Sequence, residues 1–259
     1  MKLPREGREL QIGWVGDTPG WQGLWGGGFG EDGGMGRVLR ERAGVLGWGA
    51  VVMGGLFLLL TWQVWGAGWA VDGDVGVWDW FVGHRSAGWT TLVREYTFFG
   101  DPGRASLIAI VVAGVAWWRR RSFGVALLVV ATVLIATGLS TLTKYLVGRE
   151  RPPVAMRLVG AMHPSYPSGH ATATTALVGV TLLVYLGSRP TRGRAWGAAV
   201  LAAVLVVAMC ATRLYLGVHW FTDVVGGVLL AAAVVLCAGV VQIRWQVGNE
   251  PTPCSLNPQ

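Results

Sequence analysis

Six stretches of this chain, residues 44–70, 104–118, 123–147, 169–187, 195–215 and 219–243, are almost free of charge. Most run for about 20 residues, the length an α-helix needs to cross a bilayer. In hydrocarbon every backbone N–H and C=O must be satisfied internally, so such segments fold as helices. The chain has 259 residues, 53% of them hydrophobic and 14% charged, too apolar a balance for an ordinary soluble domain. The expectation is an all-α, polytopic membrane protein with six transmembrane helices over 44–243. Residues 1–43, rich in Gly and Trp and without periodicity, are expected to be a disordered cytoplasmic segment, and 244–259 a cytoplasmic tail. Met35, just ahead of Arg37 and the first span, is a candidate start of translation.

Basic residues near the span ends predict the orientation. Arg37, Arg40 and Arg42 precede the first span, and Arg119, Arg120 and Arg121 separate the second from the third. Arg189, Arg192 and Arg194 separate the fourth from the fifth, and Arg244 follows the sixth. With alternating spans all of these share one side, which the positive-inside rule makes cytoplasmic. Both termini then lie inside. Arg149, Arg151 and Arg157 break the bias, in a loop on the outer side.

Three short stretches set cations and histidines among the apolar runs: KYLVGRERP from Lys144 to Pro152, PSGH from Pro167 to His170, and RLYLGVHWFTD from Arg213 to Asp223. Ionisable groups at membrane depth are expensive and mark function by default. The spacing suits phosphate. Lys144, Arg151 and Arg213 offer several donors to phosphoryl oxygens, the arginines through a planar fork. Ser168 and Gly169 precede an apolar run, so PSGH reads as a helix start, with free N–H groups and a positive dipole end. His170 falls in that helix's first turn. His219 and Asp223, four residues apart, are expected on one helical face, the carboxylate holding the imidazole tautomer and activating its other nitrogen. Since the first stretch ends the third span, the second opens the fourth and the third joins the fifth to the sixth, alternation brings all of them to the outer face.

In the pattern Lys144-x6-Arg151-Pro152, Pro167-Ser168-Gly169-His170 and Arg213-x5-His219-x3-Asp223, the chain resembles the type 2 phosphatidic acid phosphatase superfamily, in its membrane lipid phosphatase branch. The resemblance extends over residues 44 to 243. Thr212 stands where that family usually has Ser before the arginine; a hydroxyl is kept. The resemblance implies a phosphatase acting on a lipid phosphate or diphosphate at the outer leaflet. His219 would attack phosphorus to give a phosphohistidine and Asp223 would orient it. His170 would protonate the leaving oxygen and then serve as base toward water. Lys144, Arg151, Ser168, Gly169 and Arg213 would bind the phosphoryl oxygens, with no metal or other cofactor. Undecaprenyl or another polyprenyl diphosphate is the first choice of substrate, ahead of phosphatidylglycerol phosphate and phosphatidate. A lipid phosphotransferase using the same intermediate, and a non-catalytic phosphate-binding transporter, are the alternatives.

Other features carry less. Trp48, Trp65, Trp69, Trp117, Trp118, Trp196, Trp220 and Trp245 lie near span ends, where indole rings favour the interface. Cys210, Cys237 and Cys254 form neither a disulfide framework nor a metal spacing. The net charge of +7 resides mostly in the inner arginines and suits anionic lipid headgroups in the bilayer. No motif points to nucleic acid as a partner. His84 and His163 read as ordinary loop residues; Asp72, Asp74, Asp79, Glu95 and Asp101 read as solvated loop carboxylates. The loop from Val71 to Gly103 is expected to form short interfacial helices that admit a lipid.

Overall fold

The computed structural model describes residues 34–248, and the described residues are helical without a strand. The helices, in chain order, are α1 (Gly34–Trp65), α2 (Asp74–Gly83), α3 (Ala87–Phe99), α4 (Pro102–Arg120), α5 (Phe123–Val147), α6 (Gly169–Leu186), α7 (Arg192–Tyr215) and α8 (Phe221–Gly248). The expectations for residues 1–33 and 249–259, with Cys254, lie outside the described residues.

Five helices, α1 and α5 to α8, are long and apolar enough to cross a membrane unaided. The sixth expected span differs: α4 meets that standard only together with α3, to which it is joined through a 58° bend. The break has a local cause. Asp101 is the N-cap of α4 and accepts from the backbone N–H of Gly103 and Arg104, while Pro102 follows at the first helical position. Asp101 is therefore a cap, not a free loop carboxylate. The first span also shifts. Helix α1 begins at Gly34, ahead of residue 44, because charged residues at its start need no hydrocarbon. It stops at Trp65, before residue 70, where Gly66 and Ala67, at φ 47°, turn the chain. The loop from Val71 to Gly103 folds into α2 and α3, which sit as a cap over one end of the bundle.

Small residues set the packing of the interior. Ala105, Ala109 and Ala113 recur every fourth position on α4 and are buried, the small-xxx-small arrangement by which membrane helices approach closely. Ala109 and Ala113 join Val129, Val133 and Ala136 of α5, Ala176 and Val180 of α6 and Ala231 of α8 in one apolar cluster. Helix α1 packs on α8. Leu58, Leu107, Leu134 and Val204 point outward, exposed as lipid-facing side chains must be.

Candidate active site

Four helix ends meet beneath the cap: the last turn of α5, the starts of α6 and α8, and the end of α7. Helix α5 closes on Gly148, left-handed at φ 64°, whose N–H returns to the Lys144 carbonyl. Lys144 is buried there, and its Nζ donates to the carbonyls of Pro164, Ser165 and Pro167, at 3.0, 3.2 and 2.5 Å. Ser168 caps α6 as its sequence predicts, accepting from the Ala171 N–H, while its own N–H donates to the Asp223 carbonyl at 2.8 Å. The N–H groups of Gly169 and His170, in the first turn of α6, precede any intrahelical acceptor and are available to an anion. Opposite Ser168, Gly227 of α8 has room for no side chain. A Cβ there would sit 2.7 Å from the Ser168 carbonyl oxygen.

His219 and Asp223 do pair, with Nδ1 3.2 Å from Oδ2. The expected reason is wrong in part. Helix α8 starts at Phe221, so His219 lies ahead of it in the turn made by Gly217, at φ 70°. Asp223 is the third helical residue and accepts from the Trp220 N–H at 2.9 Å, one half of a capping box. The pair thus spans a helix start, not a helix face. Asp223 is 0% exposed and His219 1%. The carboxylate also accepts from Arg149 Nη1 at 2.6 Å and from the Ser165 hydroxyl.

The other ring nitrogen meets a cation. Arg151 Nη1 lies 3.2 Å from His219 Nε2 and 2.6 Å from the Val218 carbonyl, and Arg151 Nε donates to the His163 carbonyl. A guanidinium has no lone pair to offer, so Nε2 must be the acceptor and the ring proton sits on Nδ1, facing Asp223. Burial holds the His219 pKa well below its ordinary value, and Arg151, Arg213 and Lys144 push it the same way. The imidazole is neutral, with its Nε2 lone pair directed at the cations. Burial likewise lowers the Arg151 pKa, with a further push from Arg157.

Arg213 is buried at the end of α7. Its Nη1 donates to Thr97 Oγ1 of α3 at 2.8 Å, and its Nε has no partner among the described residues. Such an orphan buried donor is costly unless a ligand takes it up. Thr212 turns its hydroxyl to the Met209 carbonyl at 2.7 Å. His170 is half-buried and lies in the electrostatic field of Arg213, His219, Arg151 and Lys144. All eight residues expected from the sequence therefore gather at this end. Among the described residues no group of three or more His, Cys, Asp or Glu side chains comes together as for a metal. The donors are those an anion needs. Beside them opens a cavity of about 350 Å³ lined by Arg149, Arg151 and Arg157, by the carboxylate residue Glu150, and by His163 and the exposed Met162.

Several participants were not read from the sequence. Arg149 bridges Asp223 and Asp74, each at 2.6 Å. Asp74, expected to be solvated, is 3% exposed. Ser165 and Thr97 were missed because a lone hydroxyl in a loop or a cap helix carries no signal. Arg149 had one, since it breaks the charge bias of its loop. His84 and His163 stay exposed, the former with Nδ1 2.7 Å from the Trp80 carbonyl.

Known proteins resemble this chain in sequence and in fold. The family model described as PAP2 superfamily matches residues 125–247. A decaprenylphosphoryl-5-phosphoribose phosphatase of Mycobacterium tuberculosis is 35% identical over 150 residues, 57% of this chain and 77% of that protein. Its namesake in Mycolicibacterium smegmatis is 34% identical over 142 residues, 53% of this chain and 70% of that protein. The crystal structure of the first transmembrane PAP2 type phosphatidylglycerolphosphate phosphatase from Bacillus subtilis superposes with a TM-score of 0.69. At 22% identity it covers 76% of this chain and 97% of that one, which shows the fold. With its three motifs gathered at one end of a helical membrane bundle, the chain belongs to the PAP2 superfamily and is a multi-pass membrane phosphatase.

Proposed function

We propose that this phosphatase removes a phosphate from a polyprenyl-linked phosphate or diphosphate, through a phosphohistidine on His219. The observation that carries the reading is the split environment of that ring. Nδ1–H faces Asp223 while Nε2 faces Arg151, so the lone pair is aimed where a phosphoryl group would sit among Arg151, Arg213 and Lys144, the last acting through its charge while its three N–H bonds go to carbonyls. The three cations and the open N–H groups of Gly169 and His170 stabilise the charge spread over the equatorial oxygens. Asp223 stabilises the positive charge that grows on the ring as the P–N bond forms and the P–O bond breaks. His170 gives its proton to the departing oxygen. It then takes one from the water that cleaves the P–N bond and restores His219. Positive charge comes from side chains, so turnover proceeds without a divalent ion and persists in EDTA.

The cavity beside the site, in which three arginines outnumber the one carboxylate, Glu150, supports a substrate with a second anionic group next to the reacting phosphate. A polyprenyl diphosphate has one, as do the phosphodiester-linked sugar phosphate for which the mycobacterial relatives are named and phosphatidylglycerol phosphate, and the likeness to those relatives is what favours the polyprenyl tail. The proposed topology places the site at the outer face and both termini inside, as the arginine bias of the loops requires. The lipid tail then stays in the bilayer, contributing about 0.8 kcal/mol per buried methylene.

The test is phosphate release by the purified protein in lipid nanodiscs. Polyprenyl diphosphate and decaprenylphosphoryl phosphoribose should be cleaved with higher kcat/KM than phosphatidate, phosphatidylglycerol phosphate or a water-soluble monoester. Quenching in alkaline detergent, which preserves a P–N bond, should trap a phosphoenzyme that His219→Ala abolishes. A preference for phosphatidate would remove the polyprenyl reading, and undiminished turnover in His219→Ala would remove the intermediate. An impermeant thiol reagent should reach a cysteine at Met162 in intact cells and not one at Ser188; the reverse pattern would turn the site inward.

A further inference from the structure

Asp74 opens helix α2, far from every motif in sequence, yet it is buried against the start of α8. Its Oδ1 accepts from the Thr222 N–H at 2.8 Å, and its Oδ2 from the Thr222 hydroxyl at 2.6 Å and Arg149 Nη2 at 2.6 Å. The other nitrogen of that guanidinium, Nη1, donates to Asp223 Oδ1 at 2.6 Å and to Thr222 Oγ1 at 2.7 Å. Asp223 Oδ2 in turn faces His219 Nδ1. Four side chains from three parts of the fold thus form one unbroken line ending on the reacting imidazole.

We propose that Asp74 is a positioning residue for phosphoryl transfer: by engaging the second face of Arg149 it keeps that cation shared, leaving Asp223 its charge for His219. The inference rests on the phosphohistidine reading. Without a second carboxylate, Arg149 would be neutralised by Asp223 alone, and the pull of Asp223 on the ring proton would weaken. The local balance makes this matter. Lys144 of α5, Arg149 and Arg151 of the following loop and Arg213 of α7 are the cations near His219. His170 of α6 is coupled to the same field, and Asp101 of α4 acts on Arg213. Against these, Asp223 and Asp74 are the carboxylates in the line to the ring, so removing either one makes a positive charge on His219 harder to form. Trp78, also on α2, packs on Trp220 with ring centres 6.0 Å apart, so the helix that bears Asp74 is itself docked beside His219.

Asp74→Asn keeps the size of the side chain and removes only the charge. In the full-length protein in nanodiscs it should lower kcat roughly tenfold, the effect of about 1.4 kcal/mol on the barrier, with KM for the lipid phosphate little changed. The pH profile of kcat/KM should move to lower pH, because loss of a nearby negative charge lowers the pKa of His219. A merely structural defect would reduce the active fraction and leave the profile in place. Asp74→Ser, smaller and equally neutral, must move it in the same direction. In an Arg149→Met background Asp74→Asn should add little, since the line is already cut. An unshifted profile in both neutral variants, or equal formation of trapped phosphoenzyme by Asp74→Asn and wild type, would overturn the inference. Absence of any phosphoenzyme in the wild-type protein would instead overturn the reading on which it rests.

Discussion

Midway along the bundle, α4, α5, α6 and α8 meet through Ala109, Ala113, Val129, Val133, Ala176, Val180 and Ala231. At the capped end α5, α6 and α8 meet instead through Lys144, Ser168 and Asp223. In the first region contact is between methyl groups, with lipid outside as apolar as the interior, so shape alone holds the helices. In the second, Lys144, Arg149, Arg151, Ser165 and Asp223 are tied by hydrogen bonds to named partners, with Arg213 Nε left over. A volume change in the middle is absorbed by small shifts. At the capped end a displacement of the same size breaks directional bonds, each of which leaves a buried polar group unsatisfied. Stability and activity should therefore separate along the length of the same helices.

Gly227→Ala probes this contrast most strongly. Its Cβ would press on the Ser168 carbonyl and on Thr172 Oγ1, 3.0 Å away, forcing the start of α6 from the start of α8. A misplacement of this scale costs about 100-fold in kcat, and the variant should nonetheless insert and purify as a folded helical protein. Wild-type kcat in Gly227→Ala would show that the capped end is as tolerant as the middle.

The next effect is a pH dependence confined to the capped end. His219 is held well below its ordinary pKa of 6.5, so the unfolded chain takes up a proton that the folded chain refuses. Its contribution to stability is complete above that value and is lost as pH falls below it. Thermal unfolding followed from pH 7 to pH 5 should show Tm falling with acidity, and His219→Gln should flatten the slope. A slope that is unchanged in His219→Gln would place the acid sensitivity elsewhere.

Val180→Ala should produce the smallest effect. It removes two methyl groups from the mid-bundle cluster, which costs about 1 kcal/mol when packing is the only term lost. Tm should fall slightly and kcat/KM should stay within about twofold, since Val180 meets its neighbours in the cluster through apolar contacts only. A large loss of activity would mean that the middle of the bundle transmits displacement to the site.

What was legible in the sequence follows the same division. Lys144, Ser168, Gly169 and Arg213 announce themselves because each sits at a helix end within a short motif, and a charge beside an apolar run is costly enough to mark a role. The spacing of His219 and Asp223 was legible too, but its geometry was not. The residues between them form a turn and a cap, a distinction that depends on Gly217 adopting a left-handed backbone. The bend between α3 and α4 was missed because apolar composition measures lipid exposure and says little of direction. Asp74 and Thr97 were out of reach: a carboxylate and a hydroxyl in a cap segment become informative only once the fold brings Thr222 and Arg213 to them.

The cap also imposes an order in time. Thr222 lies 148 positions after Asp74, and Arg213 lies 116 positions after Thr97. A ribosome therefore delivers α2 and α3 well before the segments they hold in place, and until then Asp74 and Thr97 lack the partners that bury them. Only when α8 enters the membrane do Thr222 and Asp223 reach Asp74 and Arg149. A chain truncated just after Tyr215 would carry Lys144, Arg149, Arg151 and Arg213 and lack both His219 and Asp223, so the constellation is completed at a single late step of biogenesis.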